Sequence, residues 1–70
     1  MKTQVFSPDK YKSLRKKTGL TNYRLAGEIG VPSRTVYDWE YGRCEPSFAR
    51  GLVLAKALGV DPYDLLEGKD

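Results

Sequence analysis

Residues 19–42, GLTNYRLAGEIGVPSRTVYDWEYG, decide how this chain folds. Two short helices fit there, broken at Gly30-Val31-Pro32. Thr21 suits an N-cap, and Leu20 and Leu25 stand at hydrophobic-staple spacing around it. Leu25, Ala26 and Ile29 form one apolar face, and Gly30 stands where a left-handed C-cap is wanted. The next helix begins near Pro32 or Ser33, with Val31 and Val36 at staple spacing if Pro32 is the cap. Val36 and Trp39 point inward, with Glu40 and Arg43 near that boundary. Ser33, Arg34, Tyr37 and Asp38 form an outward polar face, and Gly42 closes the helix.

Helical signals continue on both sides. Ser7 is a good N-cap, Pro8 occupies the favoured first helical position, and Phe6 and Tyr11 flank the cap as a staple. That helix runs to about Thr18 and stops at Gly19. Tyr11, Leu14 and Thr18 form a narrow inward stripe, while Lys10, Lys12, Lys16 and Lys17 project outward. After Pro46, Ser47 caps a fourth helix with apolar Leu52, Leu54, Ala55 and Leu58, ended by Gly59. Asp61-Pro62 opens a short fifth helix whose Leu65 and Leu66 pack back. The expectation is an all-α domain of five helices with no strand. Residues 1–6 form an N-terminal arm, 7–67 the domain and 68–70 a tail, with fraying from Glu67.

Seventy residues make one domain with a small core, so caps and any dimer contact matter to stability. One cysteine, Cys44, cannot form an intrachain disulfide, and without histidine it cannot assemble a metal site. No cofactor is expected. The start, MKTQVFSPDK, lacks the apolar run of a signal peptide, and no window reaches transmembrane length. The expected location is the cytoplasm, with no membrane partner. Net charge is +3, unevenly spread. Residues 1–43 hold nine Lys and Arg against four Asp and Glu; residues 44–70 hold three against five. The basic part contains the paired helices, which fits a polyanionic partner, although a solvated lysine-rich face gives the same count.

Two helices joined by a tight turn, the second with an exposed polar face, have the layout of a helix-turn-helix, whose second helix reads base edges in the major groove. Double-stranded DNA is the expected partner. Arg34 can give two hydrogen bonds to guanine O6 and N7 or serve a phosphate; Ser33 can meet several base edges or cap its helix. Asp38 can accept from cytosine N4 or hold Arg34 at i, i+4, the second being the favoured reading. Tyr37 can lie against a thymine methyl, reach a phosphate, or pack along its own helix. Thr21, Asn22 and Tyr23 stand at a helix N-terminus suited to phosphate, and Arg24 and Arg43 can add charge. Gly27 costs roughly 1 kcal/mol mid-helix relative to alanine; a close approach to DNA or another helix is the one reason the sequence offers.

The series resembles the Cro and phage-repressor, or XRE-like, helix-turn-helix family from about Tyr11 to Leu66. Its marks are a basic helix ending in Gly19, Leu25-Ala26, Gly30-Val31, Val36, Trp39-Glu40, Gly42, Pro46, Ala57-Leu58-Gly59-Val60 and Leu65-Leu66. The resemblance implies a compact lambda-repressor-like fold, with base readers at Ser33, Arg34 and Asp38 and phosphate contacts at Asn22, Tyr41 and Arg43. Asn22 replaces the family's usual glutamine and is one methylene shorter. The resemblance also implies a buried ion pair between Arg15 and Glu40. Gly51 stands where leucine is usual, and the expectation is that it makes room for Trp39 or another aromatic ring.

These readings point to a small transcriptional regulator, a repressor acting as a homodimer on a two-fold symmetric operator. The family places dimer contacts in the loop before the fourth helix and across residues 60–66, with Val60, Pro62, Tyr63 and Leu66 as candidates. The alternative is an antitoxin or co-regulator whose apolar patch around Phe48, Val53 or Tyr63 binds a protein such as a toxin. Catalysis is not expected. The chain has no histidine, no paired-carboxylate signature, no phosphate-binding glycine loop and no activating base beside Cys44.

Overall fold

Among the described residues, hydroxyl side chains set where three of the four α-helices begin. In the computed structural model, which describes residues 3–69, Ser7 Oγ accepts from the Lys10 amide at the start of α1 (Pro8–Thr18). Thr21 Oγ1 accepts from the Arg24 amide at the start of α2 (Asn22–Ile29), and Ser47 Oγ from the Arg50 amide at the start of α4 (Phe48–Leu58). Pro32 occupies the cap of α3 (Ser33–Glu40) and makes no side-chain bond, so Val31 and Val36 take the staple positions. The Ser33 side chain therefore does not cap its helix. Between α2 and α3 the chain turns at Gly30, whose φ of 76° suits a residue without Cβ.

Each helix turns its apolar stripe to one core. Tyr11, Leu25, Val36, Trp39 and Leu54 are its largest fully buried side chains; Ala26, Ala55, Leu58, Leu65 and Phe6 complete it. α2 packs chiefly on α3, with α4 behind α2 and α1 against α3. The expected Arg15–Glu40 pair forms at 2.9 Å, with side chains only 13% and 8% exposed. A second Arg15 nitrogen donates to the Leu20 carbonyl at 2.8 Å, just before the α2 cap. One arginine from α1 therefore ties the start of α2 to the end of α3.

Three expectations need correction. The chain has strands: β1 (Thr3–Phe6) pairs antiparallel with β2 (Leu66–Lys69), from Thr3↔Lys69 to Phe6↔Leu66. The arm and tail thus become a two-stranded ribbon, although Met1, Lys2 and Asp70 lie outside the described residues. The Ser7 amide donates to the Leu65 carbonyl at 2.8 Å and Lys10 Nζ to the Leu66 carbonyl at 2.7 Å, which bind the ribbon to α1. Four-residue strands at opposite chain ends leave no periodic signal in either segment. The fifth helix is a 3-10 turn, Pro62–Leu65, closed by a capping box between Asp61 and Asp64. Gly51 does not accommodate Trp39: a Cβ at residue 51 would meet no atom within 4 Å. Gly51 instead lines an open apolar groove with Phe6, Phe48, Leu52, Pro62 and Leu65.

Candidate nucleic-acid interface

α3 presents its polar face as its apolar spacing dictates. With Val36 and Trp39 buried, Arg34 and Tyr37 are exposed, and Ser33 and Asp38 are half-buried at the edges. Arg34 has no hydrogen-bond or ion-pair partner among the described residues, so its guanidinium is free for a ligand. Asp38 does not hold Arg34. Its carboxylate meets Arg43 Nη1 at 3.5 Å, and its backbone carbonyl accepts from the Arg43 amide at 2.9 Å. Arg before Asp is the less favourable order for a pair on one helix. The loop at Gly42, with φ of 75°, folds Arg43 back onto Asp38 instead.

An aromatic ladder extends that face. Tyr37 and Tyr41 lie one helical turn apart with ring centroids 6.4 Å apart and planes 20° from parallel. The Arg43 guanidinium carbon lies 5.6 Å from the Tyr41 ring centre, within cation–π range. Tyr37 thus does pack along its own helix, while its edge stays exposed. Arg43 is largely exposed, and its contact with Asp38 is long, so the pair contributes little and can be exchanged for a phosphate.

The N-terminus of α2 lies beside this face. Tyr23, Arg24, Gly27, Val31 and Ser33 line one shallow cleft between the two helices. Thr21, Tyr23 and Arg24 are exposed. Thr21 occupies the Arg24 amide, which leaves the Asn22 and Tyr23 amides as the open donors of the first turn. A Cβ on Gly27 would meet nothing within 4 Å, so no helix approaches it. The open N-terminus of α2, where amides and helix dipole favour negative charge, and the exposed face of α3 therefore share one surface.

Asn22 opens α2 with one end of its side-chain amide engaged in the core. It is 4% exposed, and its Oδ1 accepts from the Tyr11 hydroxyl at 2.6 Å. Burial pushes the Tyr11 phenol well above its ordinary range; the nearby Arg15 guanidinium opposes that shift, and Glu40 and Tyr37 add to it. Tyr11 therefore stays protonated and able to donate. Nothing in the sequence signalled this contact, because a tyrosine in a helix core stripe is fully explained by packing. Among the dimer candidates, Tyr63 and Pro62 are exposed and Leu66 is half-buried, whereas Val60 packs against the core. Phe48, Leu52 and Val53 are exposed on α4.

A family model described as helix-turn-helix matches residues 12–65. Among solved structures, the restriction-modification controller protein C.AhdI from Aeromonas hydrophila is 31% identical, with a TM-score of 0.78 over 83% of this chain and 88% of that one. The P22 c2 repressor, solved with a synthetic operator, is 29% identical, with a TM-score of 0.82 over 93% and 98%. A transcriptional regulator from Listeria innocua is 25% identical, with a TM-score of 0.75 over 84% of this chain and 55% of that one. No curated protein matches the chain significantly.

Proposed function

Because the chain belongs to the helix-turn-helix family of DNA-binding transcription regulators, we propose that it is a repressor that binds a two-fold symmetric operator as a homodimer. The observation that carries this reading is the unpartnered Arg34 on the exposed face of α3, beside the open N-terminus of α2. α3 lies in the major groove, where Arg34 takes a guanine and Ser33, Tyr37 and Asp38 meet neighbouring edges. Thr21, Tyr23, Arg24, Tyr41 and Arg43 hold the backbone and set register.

One reading helix gives little specificity, so a second copy supplies the other half-site. Phe48 at 83%, Tyr63 at 76% and Leu52 at 41% exposure form an apolar face beside the groove at Gly51. This face supports a self-association surface shifted toward α4 relative to residues 60–66. Selection of binding sites from a randomised duplex pool at physiological salt tests the proposal. A two-fold motif with half-site centres about 10 base pairs apart is expected. Recovery of no motif would overturn operator binding and turn the exposed apolar face toward a protein partner, such as a toxin or co-regulator.

A further inference from the structure

We propose that Tyr11, a core residue of α1, is a positioning residue for DNA binding: its hydroxyl fixes the Asn22 amide so that the N–H2 end meets a phosphate. This rests on the operator-binding reading above and assigns a part to a side chain that does not touch DNA.

An asparagine side chain has a donor end and an acceptor end, and a phosphate oxygen only accepts. Which end faces outward decides whether the residue attracts or repels the backbone. Here the acceptor end is occupied: Tyr11 Oη donates to Asn22 Oδ1 at 2.6 Å within the core. A buried phenol proton needs an acceptor, and among the described residues Oδ1 is its one partner. The reversed amide would leave that proton without one. Burial also holds the phenol in its protonated form. The interaction therefore selects one of the two amide orientations.

The other end remains available. Asn22 Nδ2 has no hydrogen-bond partner among the described residues. Arg15 Nε is the one fully enclosed side-chain polar atom there that lacks a partner, so Nδ2 keeps contact with solvent although the residue is 4% exposed. Asn22 is the first residue of α2, where the unpaired amides of Asn22 and Tyr23 and the helix dipole favour an anion. A buried side chain with a restrained rotamer loses little freedom when it binds, which offsets its short reach.

The test is a double-mutant cycle with Tyr11→Phe, Asn22→Ala and the combined variant, measured on the selected duplex over a range of salt concentrations. Thermal unfolding confirms that each variant is folded at the assay temperature. Each single change should weaken binding about tenfold, the size of one hydrogen bond to a charged group. Preference among sequences should persist, and so should the salt slope, because no charge is removed. The combined variant should bind no more weakly than Asn22→Ala alone. Unchanged affinity in folded Tyr11→Phe overturns the proposal. So does a Tyr11→Phe loss that persists in full in the Asn22→Ala background, since Tyr11 would then act through the fold as a whole. A wild-type chain that binds no duplex overturns this proposal together with the operator reading, whereas the other two outcomes leave that reading intact.

Discussion

Arg34 and Arg43 carry the same charge on the same surface, but their surroundings separate their expected roles. Arg34 is free, whereas Arg43 lies against Asp38 and the Tyr41 ring. Arg34→Ala should remove about 1–3 kcal/mol of discrimination at one base pair and leave the fold intact. Arg43→Ala should weaken all duplexes alike and reduce the salt slope by about one. Binding isotherms on single-base variants of the selected site, repeated across salt concentrations, separate the two; a uniform loss in Arg34→Ala would remove Arg34 from base readout. Tyr11 gives a prediction about alkaline stability. Its phenol ionises at higher pH in the folded chain than the ordinary 10.0 of an exposed tyrosine, because burial disfavours the phenolate. The unfolded chain therefore loses this proton first. The associated stability is intact below pH 10 and is lost as pH rises, by about 1.4 kcal/mol per unit until the folded group also ionises. Denaturation between pH 9 and 12 should show a steeper decline in the wild type than in Tyr11→Phe.

At the scale of elements, α1 serves as a brace behind the α2–α3 pair. Arg15 reaches both the Leu20 carbonyl before α2 and the Glu40 carboxylate at the end of α3. Glu40→Ala leaves a largely buried guanidinium without its carboxylate and should cost about 3 kcal/mol, or about 12–24 °C in Tm for a domain of this size. Replacing both partners by apolar residues of similar volume should recover much of that loss. Thermal unfolding of the single and paired variants tests the network, and equal destabilisation by both would show that the charge left behind is not the cause. Gly27 gives a prediction of opposite sign. It is helical, and a Cβ there meets open space, so Gly27→Ala should raise stability by roughly 0.5–1 kcal/mol. If DNA lies close over the cleft at α2, the same variant should bind less tightly while melting higher. Unchanged affinity would leave Gly27 without a role at the interface.

For the molecule as a whole, what was legible in the sequence divides by the range of the interactions. Caps, staples and apolar spacing act within one helix or across one turn, and these gave α1 through α4 and the exposed face of α3 directly. The ribbon of β1 and β2 is not legible, since it joins residues sixty or more positions apart and each strand is too short to show a period. The Asp38–Arg43 contact depends on a loop bend, and the Tyr11–Asn22 bond on two helices meeting. Gly51 is a similar case: a Cβ there would meet no atom within 4 Å, and the space beside it is a groove that opens outward at the molecular surface. That groove and the exposed Phe48 lie on one face, and such a patch is self-complementary under a two-fold axis if the ring of one copy enters the groove of the other. Phe48→Glu removes the ring and puts a like charge on both sides of that axis. The substitution lies at the first, exposed turn of α4, so the monomer should keep its Tm. Sedimentation should then show the wild type associating with rising concentration and the variant remaining a monomer. On DNA, the variant should lose cooperative binding to the two-fold site and retain weak binding to an isolated half-site. If Phe48→Glu still associates as the wild type does, the dimer uses another surface. If the wild type is monomeric both alone and on its operator, the exposed ring instead fits a protein of a different kind.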